Sequence, residues 1–136
     1  MPYTSLTSAI RDKLVNTTAI TDICSTRIYP SYLPQNPTLP AIVFKLIDDK
    51  VPSDTLEGTG SLFRAVMEFN VFASTYSAAK NLSEEIRLAI QGYSGTNLSV
   101  NIKGVHFENE FDDFEEEIAN HVIVLRFAIW HKETNV

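Results

Sequence analysis

Apolar positions recur along the chain with two periods, and the places where the period changes mark out its elements. From about Ser5 to Val15, Leu6, Ala9, Ile10 and Leu14 fall at helical spacing behind the cap candidates Thr4 and Ser5, which predicts an opening amphipathic helix. Residues 16 to 40 lose that period. Pro30, Pro34, Pro37 and Pro40 impose an extended path that leaves no room for a helix. Ile28, Tyr29, Tyr32, Leu33 and Leu39 make this stretch a connector packed along the body, since a free linker would be rich in Gly, Ser or charge. AIVFKLI, from Ala41 to Ile47, is rich in β-branched and aromatic residues and predicts a first strand, ended by Asp48 and Asp49. The following stretch to Ser61 is polar, holds Pro52, Gly58 and Gly60, and is too long for a tight hairpin, so it reads as a projecting loop.

Strand two, Leu62 to Ala73, shows the clearest alternation. Phe63, Ala65, Met67, Phe69 and Val71 point one way, and Arg64, Glu68 and Asn70 the other. A second helix follows from about Thr75 to Gln91, with Ala79, Leu82, Ile86, Ala89 and Ile90 on one stripe and Gly92 as its stop. In strand three, about Ser99 to Phe111, Val100 and Ile102 lie out of phase with Val105, Phe107 and Phe111, which predicts a bulge at Gly104. The last strand, Ile118 to about His131, sends Ile123, Leu125, Phe127 and Ile129 to one face and Val122, Val124, Arg126 and Trp130 to the other. The order α-β-β-α-β-β predicts one α+β domain over residues 1–136: an antiparallel four-stranded sheet with two helices on one face and a long loop between its first two strands. On this register the opposite face carries Val43, Ile47, Leu62, Val66, Phe72, Val122, Val124 and Trp130. So much apolar surface on an outer sheet face calls for a partner, and self-association is the expected one.

Composition narrows the function classes. A chain of 136 residues, 44% hydrophobic and 21% charged, has enough apolar content for one core, and no apolar run approaches the roughly 18 residues a membrane span needs. With 11 Lys and Arg against 17 Asp and Glu, the net charge of −6 disfavours proteins that grip phosphate backbones. That excess is local. Glu108, Glu110, Asp112, Asp113, Glu115, Glu116 and Glu117 fall within ten residues, and without them the chain has 10 acids against 11 bases. The window lacks the glycine and ligand offsets of a calcium loop, and Phe111 and Phe114 interrupt it. Acids this dense on an apparent hairpin turn should be solvated, which argues against a glycosidase-like carboxylate pair and for an exposed acidic edge.

The remaining candidate chemistry is sparse. Cys24, the single cysteine, excludes an internal disulfide and reads as a small core residue. His106, His121 and His131 all fall on predicted strands, and His121 shares the inward parity of Ile123 and Leu125, as expected of a hydrogen-bonded structural histidine. There is no G-x-S-x-G elbow, papain-like cysteine context, phosphate loop or dinucleotide fingerprint. The expectation is a non-enzyme with no cofactor and no metal. MPYTSLTSAI lacks a basic n-region and an apolar h-region, so synthesis in the cytoplasm is the default.

Three passages taken in order resemble the tail completion, or tail terminator, family of long-tailed bacteriophages: RIYPSYLPQNPTLPAIVFKLI (27–47), VMEFNVFASTYSAAKNLSEEIRLAI (66–90) and EEIANHVIVLRFAIWHKE (116–133). The resemblance implies a structural virion protein at the tail and neck, made in the bacterial cytoplasm. It further implies a homohexameric ring at the head-proximal end of the tail tube that ends tube polymerisation. Its partners would be the tail tube protein, a head-closure or neck protein, and genomic DNA passing through without sequence-specific binding. On that view the acidic window 108–117 would face the channel or its rim, where negative charge repels phosphates. Asp48, Asp49, Lys50, Asp54 and Glu57 would form a loop that docks on the tube or a neighbouring subunit. Val43, Ile47, Val66, Phe72, Val124 and Trp130 would form a subunit interface. Two alternatives remain: a head-closure or tube ring protein of the same virion, and a small carboxylate- or metal-dependent hydrolase.

Overall fold

The computed structural model describes residues 5–50, 62–98, 100–115 and 120–132. Helix α1, Leu6–Val15, begins at Ser5, whose hydroxyl accepts a hydrogen bond from the Ser8 amide at 3.2 Å, and it buries Leu6, Ala9, Ile10 and Leu14. Helix α2, Thr18–Cys24, follows almost at once and buries Ile20 and Cys24, spaced four apart on one side. This corrects the expectation of a helix-free connector. The prolines that forbid a helix begin only at Pro30, which leaves two turns of unrestricted chain before them.

The sheet also departs from expectation. It has six strands and curls into a half-barrel, in the order β1-β2-β3-β6-β5-β4. The strands are β1 Ile28–Pro30, β2 Ala41–Lys50, β3 Leu62–Ala73, β4 Gly95–Asn97, β5 Val100–Glu115 and β6 Asn120–Lys132, and helix α3, Tyr76–Ile90, lies between β3 and β4. Strand β1 runs parallel to β2, and every other pairing is antiparallel, so the four-stranded antiparallel sheet with two helices is replaced by a six-stranded mixed sheet with three. Both additional strands are three-residue edge pieces, too short to show a period. The β1 edge is secured from the helical side, where Arg11 Nε donates to the Ile28 carbonyl at 2.9 Å, and from the connector, where Arg27 Nε donates to the Pro40 carbonyl at 3.0 Å.

The helices cover one face of the sheet. There Ile42, Phe44, Ala65, Met67, Phe69, Val71, Ile123, Leu125, Phe127 and Ile129 join Ile10, Leu14, Ile20, Leu82, Ile86 and Ile90 in one buried cluster. Phe127 is central to it. Its ring meets Phe69 at 5.7 Å and Phe107 at 5.5 Å, both edge to face. Cys24 is buried in the same cluster, and burial pushes its thiol pKa up. Strand β5 has two register shifts, between Ile102 and Gly104 and between Phe107 and Asn109. The expected slip is therefore present, with Lys103 as the extra residue beside Gly104, and Glu108 makes a second. The acidic window is not a hairpin turn, because β5 continues through Glu115, and residues 116–119 lie outside the described segments.

Candidate functional site

The face of the sheet turned away from the helices carries what can act on other molecules, and strand register arranges it in rows. One row runs Tyr29, Val43, Asn70, Val124 and Phe111; another runs Lys45, Glu68, Arg126 and Asn109; a third brings Arg64, Trp130 and Gly104 together. Val66 and Phe72 share this face, and Ile47 is the extra residue at a bulge in β2, 49% exposed. Val43 and Val124 are already buried in the single chain, whereas Val66, Phe72 and Trp130 are half-buried. The curled face is thus partly self-covered, and its open apolar surface lies toward the Trp130 end and at Phe111.

A charged cluster occupies the middle of the face. Glu68, with a side chain only 8% exposed, accepts from Arg126 Nε at 3.0 Å and from Asn70 Nδ2 at 3.0 Å, and Lys45 Nζ lies 3.5 Å away. Burial pushes the Glu68 carboxyl up, but the hydrogen bonds from Asn70 and Arg126 and the charges of Lys45 and Arg126 outweigh it and hold the group below its ordinary value. The Arg126 guanidinium also sits 5.4 Å from the Phe111 ring centroid. The alternation of β3 places Glu68 on the outward face, and only the register with Lys45 and Arg126 shows that it is enclosed.

Toward one end of the face, the bulge at Lys103 and the bare Cα of Gly104 open a groove of about 540 Å³ lined by Leu62, Lys103, Gly104, Trp130 and Lys132. A Cβ at Gly104 would meet nothing within 4 Å, so the space there is free. Arg64 lies over the Trp130 ring, 5.4 Å from its centroid, and 3.5 Å from Glu108. Lys103 and Lys132 have no ion-pair partner among the described residues.

The acids of the window are in unlike settings. Glu108 faces Arg64, and Glu110 is bound by Lys80 of α3, an interaction that raises the lysine pKa. The second Glu110 oxygen is buried without a hydrogen-bond partner among the described residues. Asp112 accepts from the Tyr76 hydroxyl at 3.1 Å, and Asp113 accepts from the Phe114 amide at 2.8 Å. Phe111, Asp112, Asp113 and Phe114 are all exposed. Glu115 closes the strand, and Glu116 and Glu117 lie outside the described residues.

The expected docking loop is placed in part. Asp48, Asp49 and Lys50 belong to β2, and Asp54 and Glu57 lie outside the described residues. Asp49 Oδ1 lies 3.1 Å from Nε2 of the buried His131, which also stacks on Phe63 at 5.5 Å. The hydrogen-bonded histidine is therefore His131, while His121 sits between the rings of Tyr76 and Phe114. Among the described residues no group of three or more His, Cys, Asp or Glu side chains is placed to hold a metal ion, and no helix is long and apolar enough to cross a membrane.

Comparison with known proteins adds a family. Residues 8–132 match the model of the family described as tail completion protein gp17. A solved chain from the virion of a native gene transfer agent (GTA) particle has the same fold: TM-score 0.74 at 17% identity, over 94% of this chain and 95% of that one. A second solved chain aligns with TM-score 0.55 at 11% identity, over 93% of this chain and 96% of that one. No curated protein matches by sequence.

Proposed function

Since the chain belongs to the tail completion protein gp17 family, structural proteins of the bacteriophage virion, we propose that it closes the tail tube. Six copies form a ring at the head-proximal end of the tube, stop further tube polymerisation, and present the surface to which the head's neck attaches. The observation that carries this proposal is the family match, which runs from within α1 to the end of β6.

The chemistry of the outer face supports a ring. Its two ends differ in charge and shape, as a contact that repeats head to tail and closes by rotation requires. Genomic DNA would pass through the lumen without being held. The acidic segment 108–117 would face that channel or its rim, where carboxylates repel phosphates and let a duplex slide. Glu108 and Glu110 form salt bridges within their own chain and would contribute least to this repulsion. The apolar positions Val66, Phe72 and Trp130 would lie against a neighbouring copy, and residues 48–50 of β2, with the segment that follows, against the tube or a neighbour.

Mass measurement of the purified protein, alone and after incubation with tail tubes, tests the proposal. A hexamer in either condition is the expected result. A chain that stays monomeric and never joins tubes would contradict it. Location separates this proposal from a head-closure or tube protein, since only a terminator sits at the head-proximal tube end.

A further inference from the structure

The two ends of the β5–β6 hairpin are complementary to each other and too far apart to meet within one chain. At one end is the groove floored by Gly104 and the Trp130 indole, flanked by Lys103 and Lys132, neither of which has an acidic partner among the described residues. At the other end Phe111 and Phe114, 41% and 49% exposed, flank Asp112 and Asp113; Phe111 and Asp113 lie on the outer face, Asp112 and Phe114 on the helix side, and neither aspartate has a salt-bridge partner among the described residues. From Gly104 to Asp113 the strand advances about 30 Å at its usual rise per residue.

We infer that the hairpin end bearing Phe111, Asp112, Asp113 and Phe114 docks into the Trp130–Gly104 groove of a second copy of this chain. The inference rests on the ring proposed above and supplies its subunit contact. The occupant follows from charge and shape together. An apolar groove flanked by ammonium groups selects an aromatic element carrying carboxylates, and the hairpin end is such an element on this chain. The two sides present opposite charge that is outside any salt bridge among the described residues, so their approach is steered electrostatically, and a half-buried indole is the kind of anchor on which interface energy concentrates. The contact joins unlike surfaces, so a copy docked through its hairpin end keeps its groove free for the next copy until the ring closes. Asp112 and Asp113 then sit at the seam between copies, where the neighbour's ammonium groups meet their charge.

The absent side chain at Gly104 acquires a purpose on this account. Any larger residue there would occupy the space a phenyl ring of the neighbour enters. The bulge at Lys103 serves the same contact, because it sets the ammonium beside the groove instead of in line with the strand.

Charge reversal tests the inference. Lys103→Glu/Lys132→Glu and Asp112→Lys/Asp113→Lys are prepared separately and as an equimolar mixture, with circular dichroism to check folding and native mass spectrometry, with and without tail tubes, to read assembly. Each variant alone should need at least tenfold more protein for half-assembly. The mixture should restore rings, because alternating copies present one native and one reversed contact. If either variant alone assembles like the unsubstituted chain, or the mixture stays unassembled, the assignment is wrong while the ring itself stands. Variants that form rings and lose only attachment to another virion protein would give the groove to that partner and overturn the assignment. An unsubstituted chain that never forms a ring would overturn the ring reading as well. For variants that fail to fold, Lys103→Cys/Asp113→Cys with a short bismaleimide decides the matter. The two positions are too distant to link within a chain and Cys24 is buried, so a ladder rising to the ring mass supports the contact and uncross-linked monomer from assembled rings overturns it.

Discussion

Arg126 and Glu68 are joined across β6 and β3 by a hydrogen bond of 3.0 Å on the sheet face turned away from helices α1, α2 and α3. The pair is directly cross-strand, and Lys45 on β2 extends the same row, so one nearly enclosed carboxylate ties three strands together. On the other side of Arg126, Phe111 rests against the guanidinium, which connects this network to the acidic end of β5.

Glu68→Gln should lower stability at neutral pH by about 0.5–1.5 kcal/mol, because a neutral amide replaces the enclosed carboxylate while its cationic partners stay partly solvated. The pH dependence has a definite sign. The folded carboxyl is held below its ordinary value of 4.5, so the carboxylate's stabilisation is complete above that value and is lost as pH falls through the lower folded value. Urea unfolding measured from pH 7 to pH 3 should show a decline beginning near 4.5 in the unsubstituted chain and a flatter one in Glu68→Gln.

Lys80→Met removes the ammonium that binds Glu110, a residue 14% exposed with one oxygen already unpartnered. A loss of about 1–2 kcal/mol is expected, less than a fully buried pair would give because Lys80 is partly solvated. A double-mutant cycle with Glu110→Gln should show coupling between the two sites, and additive losses would disprove it.

Phe127→Ala empties the centre of the core between Phe69 and Phe107. It should cost about 3–5 kcal/mol, visible as a large fall in the urea midpoint. Trp130→Ala, on the half-buried outer face, should cost much less stability and reduce assembly instead.

Gly104→Leu separates folding from association. Nothing lies within 4 Å of a Cβ at this position, so stability should stay within about 0.5 kcal/mol of the unsubstituted chain. Assembly should fail, because the leucine fills the groove. Thermal melting and mass measurement on the same preparation check both halves of the prediction.

How much of this was legible before the structure follows from the length of each segment and the locality of its pairings. Strand β3 can be read to the residue, Leu62 to Ala73, because twelve residues alternate against one buried face. Helix α2 and strands β1 and β4 could not be read, since seven and three residues are too few to establish a period. The parallel pairing of β1 with β2 is set by tertiary packing alone. The acidic window could be counted from sequence, but its division could not. Glu108 and Glu110 form salt bridges with Arg64 and Lys80, partners far away in the chain, whereas Asp112 and Asp113 form none among the described residues. The groove at Trp130 had one visible trace, the phase slip near Gly104, whose spatial meaning depends on the register with β6.

The central claim is that this chain caps the tail tube as a ring, and electron microscopy of purified tail tubes incubated with gold-labelled protein tests it most directly. The account predicts label confined to the head-proximal end of each tube, with sixfold density there. Label spread along the tube, or tubes with bare ends, would contradict it.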